Sequence, residues 1–92
     1  MNSDITINRD HTLGVDEAKR RVDKLAGQLG GRLNLTARWE GNRLQVVGQG
    51  VSGHIDVDDV SVRIHVSMGF TMMMFRESIR SSIEGSIDEY ID

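Results

Sequence analysis

The sequence predicts a two-layer α+β domain: a mainly antiparallel sheet in the order β-α-β-β-β-β-α, with two amphipathic helices packed on one face. Three patterns in the chain carry this expectation. Apolar residues recur at helical spacing over 15–33, alternate with a period of two for about thirty-five residues after that, and return to helical spacing over 71–91. At 92 residues the chain reads as one domain, 1–92, without repeats or linkers and without proline.

The first strand is short, with Ile5 and Ile7 alternating with Thr6 and Asn8. In the next element, a helix, Val15, Ala18, Val22, Leu25, Ala26, Leu29 and Leu33 fall within roughly a 100° arc, the stripe of a helix lying on a core. Gly14 is its expected N-cap, and Asp16 and Glu17 in the first turn meet the positive end of the helix dipole. The spacings Asp16–Arg20 and Glu17–Arg21 put each acid four residues before its base. Gly30 and Gly31 are expected to end the helix.

From Leu35 the period is two. Leu35, Ala37 and Trp39 point inward, as do Leu44, Val46 and Gly48 across a two-residue Gly41-Asn42 turn that pairs Trp39 with Leu44 and Glu40 with Arg43. The parity of the apolar positions flips between Gly48 and Val51. Gln49-Gly50 is therefore a tight turn or a bulge, the turn giving a four-strand meander. A two-residue Asp58-Asp59 turn would pair Val57 with Val60, Ile55 with Val62 and Val51 with Val66. In the last segment Met72, Phe75, Ile79, Ile83, Ile87 and Tyr90 occupy roughly a 120° arc of one helix, with Gly85 facing solvent.

Composition excludes several function classes. Hydrophobic residues make up 38% and charged residues 27%, as in an ordinary globular chain, but Trp39, Tyr90, Phe70 and Phe75 are the only aromatics with which to wall a deep pocket. Without cysteine there is no disulfide, thiolate metal site or cysteine nucleophile. Eleven Lys and Arg against fourteen Asp and Glu give a net charge of −3, so no nucleic-acid partner is expected. No stretch approaches the ~18 apolar residues of a spanning helix, and Asp4, Arg9 and Asp10 interrupt the N-terminus where a signal peptide would be apolar; a cytoplasmic address is expected.

Candidate chemistry is sparse. His54, Asp56 and His65 share the outward face of the last hairpin, but the register with Val57 opposite Val60 sets the histidines on a diagonal and puts Arg63 opposite His54, where it would repel a cation. Asp56, Asp58 and Asp59 lack the spacing and glycine of a calcium loop and read as turn residues. The acids lie on helix faces and turns and not across a cleft, there is no Gly-x-Ser-x-Gly elbow, and neither Gly48-Gln49-Gly50 nor Gly30-Gly31 has the lysine of a phosphate loop. No catalytic residue, cofactor or metal site is assigned, and the chain is not expected to be an enzyme. His11 reads as a turn histidine bonded to backbone.

The unusual feature is Met68-Gly69-Phe70-Thr71-Met72-Met73-Met74-Phe75. On a helical wheel Met72 and Phe75 belong to the buried stripe, whereas Met73 and Met74 lie about 100° and 200° away, more than one sheet can cover. Either a partner covers them or a corner between strand and helix folds them inward as gap fillers. Phe70, Met72, Met73, Met74 and Phe75 are therefore the candidate apolar contact surface. A second reading is a small module that holds an acyl ligand in a pocket beside Trp39. A third is a homodimer joined through the C-terminal helix, since so small a chain buries only ~60 to 70% of its surface alone.

Several segments occur in a familiar order: His11-Thr12-Leu13-Gly14 before a helix with Ala18, then Trp39-Glu40-Gly41-Asn42-Arg43-Leu44, then Gly50-Val51-Ser52-Gly53-His54-Ile55-Asp56-Val57, and an apolar stretch leading into the helix of Ile79 and Ile83. In this order and spacing the chain resembles, over nearly its whole length, the polyhydroxyalkanoic acid system protein family, also called polyhydroxyalkanoate granule-region proteins, of gammaproteobacteria. The resemblance implies an accessory role in polyhydroxyalkanoate metabolism, with a granule or a granule-associated protein as partner and the granule surface as a further address. It brings no catalytic residues. The three consecutive methionines stand where the family pattern leads one to expect leucine-type aliphatics.

Overall fold

The computed structural model describes residues 4–91. In order they form β1 (Ile5–Asp10), α1 (Val15–Leu33), β2 (Thr36–Glu40), β3 (Arg43–Gly48), β4 (Val51–Val57), β5 (Ser61–Met68), a 3-10 segment (Phe70–Phe75) and α2 (Arg76–Ile91). The strands make one five-stranded antiparallel sheet, ordered β1-β5-β4-β3-β2. Strands β2 to β5 are a meander; β1 is added beside β5, so the connection through α1 runs from one edge of the sheet to the other. Both helices pack on the same face and against each other, which gives the expected two-layer α+β architecture.

Burial follows the two periods. Ala18, Val22, Leu25 and Leu29 of α1 and Ile79, Ile83, Ile87 and Ile91 of α2 meet Ile5, Ile7, Leu44, Ile55, Val62 and Ile64 of the sheet. Each Val, Leu and Ile among them contributes about 1.5 to 3 kcal/mol by leaving water. The apolar stripe of α2 is thus occupied by the protomer's own core. The opposite face of the sheet is polar; one row across it reads Thr6, His65, His54, Gln45, Arg38. Gly85 faces solvent, as expected. No helix among the described residues is long and apolar enough to cross a membrane.

The first two hairpins form as the sequence predicts. Trp39 pairs with Leu44 and Glu40 with Arg43 around Gly41, whose φ is 61°. Gln49-Gly50 is a turn, with Gly48 opposite Val51 and Gly50 at φ 77°. At the N-terminus of α1, Gly14 accepts the Ala18 amide at 3.1 Å, and Glu17 takes both Arg21 and Arg20, each at 3.1 Å.

Three expectations are corrected. First, β5 is shifted by two residues: Val57 pairs with Val62, Ile55 with Ile64 and Val51 with Met68. Asp58 causes the shift, since its carboxylate accepts the amides of Val60 and Ser61 at 2.9 and 2.7 Å and holds a longer loop than a two-residue turn. Val60 is left exposed. Second, α1 runs through Gly30 and Gly31 and ends where Asn34 takes the left-handed conformation (φ 57°), with the Leu35 amide bonded back to the Gly30 carbonyl. Third, the last segment is not one α-helix from 71: residues 70–75 wind as a 3-10 helix before α2 begins.

Candidate functional site: an exposed apolar corner

Strand β5 ends at the buried Met68, and Gly69 anchors the 3-10 segment to the sheet: its amide donates to the Gly50 carbonyl at 2.8 Å, and its own carbonyl accepts the Met72 amide at 3.0 Å. Met72 packs across the β3–β4 turn, close enough that a Cβ on Gly50 would lie 2.9 Å from its Cγ. At the other end Arg76 holds the corner to β1, donating from Nη2 to the Asp4 carbonyl at 3.1 Å and from Nη1 to Glu77 at 2.9 Å.

Between these anchors no side chain is buried. Phe70 is 89% exposed and Met74 82%; Phe75 and Met73 are exposed to lesser degrees, and Met72 alone is partly packed on the core. Placing Phe75 on the buried stripe is a fourth correction. The wheel carries α-helical steps through a segment that turns every ~3 residues, so Phe75 loses phase with Ile79 and Ile83. From Met68 to Phe75 no residue carries a charge. Beside the corner an open cleft of about 370 Å³ is bounded by Gly48, Gly50, Ser52, Ser67 and Gly69, with the exposed Val47 opposite Ser52 on the neighbouring strand.

The other residues singled out by the sequence lie elsewhere. Trp39 is half-buried at the far edge: its Nε1 donates to Asp23 at 3.0 Å and Lys19 sits 4.9 Å above the ring. A cavity of about 40 Å³ lies between the helices and the sheet, lined by Leu25, Leu29, Val46, Gly53, Ile79 and Ile83 among others, but not by Trp39. Small-molecule pockets are about 300 to 1,000 Å³.

His54 and His65 are directly opposite, not diagonal, and their rings stack 5.4 Å apart at 19°. Arg63 faces Asp56 and not His54. The ring nitrogens diverge: His65 Nε2 lies 3.0 Å from Asp4, and His54 Nε2 lies 3.7 Å from Asp56. Arg43 grips Asp56 through two bonds, of 2.6 and 3.1 Å, and so holds its carboxyl below the usual range. The described residues contain no group of three or more His, Cys, Asp or Glu able to hold a metal ion.

His11 is buried and bonded to backbone on both sides. The Leu13 amide donates to Nδ1 at 3.1 Å, which assigns the ring proton to Nε2, 2.9 Å from the Asp58 carbonyl. Asp58, gripped by the two amides of its loop, titrates below the ordinary carboxylate range.

Neither a curated protein nor a solved structure matches the chain. A family model does, over residues 5–91, and so covers every element from β1 to α2. The chain belongs to the family described as "Putative polyhydroxyalkanoic acid system protein".

Proposed function

We propose that this chain is a non-enzymatic accessory protein of polyhydroxyalkanoate metabolism that docks, through residues 70 to 75, onto a polyhydroxyalkanoate granule or a protein on its surface. The observation that carries this reading is the exposure of Phe70 and Met74, at 89% and 82%, in a segment with no buried side chain. Covering either one would contribute about 1.5 to 3 kcal/mol, and the uncharged stretch from Met68 to Phe75 brings no ion to desolvate. Flexible, polarizable thioethers suit a polyester surface, which has apolar methylenes and no fixed array of hydrogen-bond donors. The family to which the chain belongs supplies the setting.

Replacing Met73 and Met74 together with glutamate leaves circular dichroism and thermal midpoint unchanged and abolishes co-sedimentation with granules. Undiminished co-sedimentation rejects the reading. Granules stripped of protein separate its two forms: a chain that docks on the polymer still sediments with them, and one that docks on a surface protein does not.

A further inference from the structure

The two edges of the sheet are built differently. Edge strands are protected from pairing with another chain by inward-pointing charges, bulges, proline or covering elements. β1 has such protection: Arg9, in line with the inward Ile5 and Ile7, is paired with Asp88 of α2 at 2.9 Å, and Arg76 occupies the outward carbonyl of Asp4. β2 carries no inward-pointing charge, and the carbonyl held from α1 lies beyond its end, where Lys19 donates to Gly41 at 2.9 Å. Its pairing with β3 runs without a bulge from Thr36 to Glu40, and its inward side chains are Ala37, which is exposed, and Trp39, which is half-buried.

The β2–β3 turn fixes which backbone groups are free. Around a two-residue turn the flanking residues, here Glu40 and Arg43, exchange both main-chain bonds. The bond from the Val57 amide to the Asn42 carbonyl, 2.9 Å, shows the same alternation on the other side of β3. The amides and carbonyls of Thr36, Arg38 and Glu40 therefore turn toward β3, and those of Ala37 and Trp39 turn out from the sheet.

From this we infer that β2 is the seam of a symmetric dimer, in which a second copy of this chain pairs antiparallel along the edge with the two-fold axis at Trp39. In that register the amide and carbonyl of Trp39 bond to those of Trp39 in the second copy. On the polar face Arg38 then stands opposite Glu40 of the second copy, and Glu40 opposite its Arg38. Within one chain these two side chains approach only to 3.8 Å. Centring the axis on Arg38 instead would oppose two guanidinium groups at the closest strand spacing. On the helix side the two indoles meet where Ala37 leaves the sheet uncovered. Because the same edge serves both copies, the assembly closes at two and does not propagate. The inference goes beyond the granule reading and does not depend on it.

Light scattering on the full chain from micromolar to millimolar concentration should show the mass rising from 10.3 kDa toward twice that value. The emission of Trp39, the sole tryptophan, should shift over the same range. R38E and E40R each abolish the dimer, and the doubly swapped R38E/E40R restores it. Ala37→Pro also abolishes it and keeps the circular dichroism of the monomer, because the amide removed points away from the sheet. If Ala37→Pro does not fold, the charge swap decides alone. A chain that stays monomeric at millimolar concentration overturns the inference, as does a dimer indifferent to R38E and E40R, or a double swap that fails to restore association.

Discussion

The two ends of the sheet differ in how they meet water. At one end the loops tie themselves down with polar bonds: Asp58 grips the amides of Val60 and Ser61, His11 bridges the Leu13 amide and the Asp58 carbonyl, and Lys19 holds the Gly41 carbonyl at 2.9 Å. At the other end, the 3-10 segment is held by backbone bonds at Gly69 and by Arg76, while none of its own side chains is buried. The first end is built for the stability of the fold. The second is held in place by these bonds and by Met72, and leaves Phe70 and Met74 uncovered.

Substitutions can break that contrast. His11→Ala, at the polar end, removes a buried acceptor and a buried donor at once and is expected to lower stability by about 1 to 3 kcal/mol, read as a fall in the urea midpoint. Gly50→Ala, at the other end, forces a side chain into a left-handed conformation and against Met72; about 1 to 2 kcal/mol is expected. If Gly50→Ala also weakens granule co-sedimentation, the turn positions the corner as well as stabilising the hairpin.

Acid sharpens the contrast further. Asp58 is held below its ordinary value of about 3.9, first by the amides of Val60 and Ser61, so its contribution is fully present above that value and is lost as the pH falls through the lower, folded value. Asp58→Asn is therefore expected to lose less stability than the parent between neutral pH and pH ~3. Asp56, lowered chiefly by its bonds to Arg43, titrates in the same direction in both proteins and cancels in the comparison. The smallest effect belongs to Phe70→Ser, within about 0.5 kcal/mol of the parent in the same denaturation experiment, because an exposed side chain has little to lose. A large loss there would show that the corner supports the fold after all.

Much of this architecture is legible in the sequence, and the failures have a common physical origin. Two hairpins are readable because glycine at 41 and at 50 marks positive φ and each turn sets its register directly. The third is misplaced because a shift of two residues leaves every side chain on the same face, so the apolar pattern of Val60, Val62, Ile64 and Val66 fits either pairing. The signal that separates the two is the spacing of Asp58 and Ser61, an acid three residues before a hydroxyl that it also accepts at 3.0 Å. Similarly, Gly30 and Gly31 suggest an end to α1, although a helix tolerates them. Asn34, which also accepts the left-handed conformation, is where the chain turns.

At the corner, Met73 and Met74 stand off the helical stripe in the sequence, but Phe75 does not. The change from 3-10 to α winding at Arg76 has no periodic signature over six residues. The position of β1 beside β5 depends on contacts between distant parts of the chain and has no local signal at all.

That position has a consequence for the order in which the molecule assembles. Strands β3 to β5 each pair with the strand just made, but Ile5 waits for Val66 and Asp10 for Ser61. During synthesis β1 is made well before the strand that pairs with it. Its docking beside β5, which brings Ile5 and Ile7 into the core, waits on the last strand of the sheet.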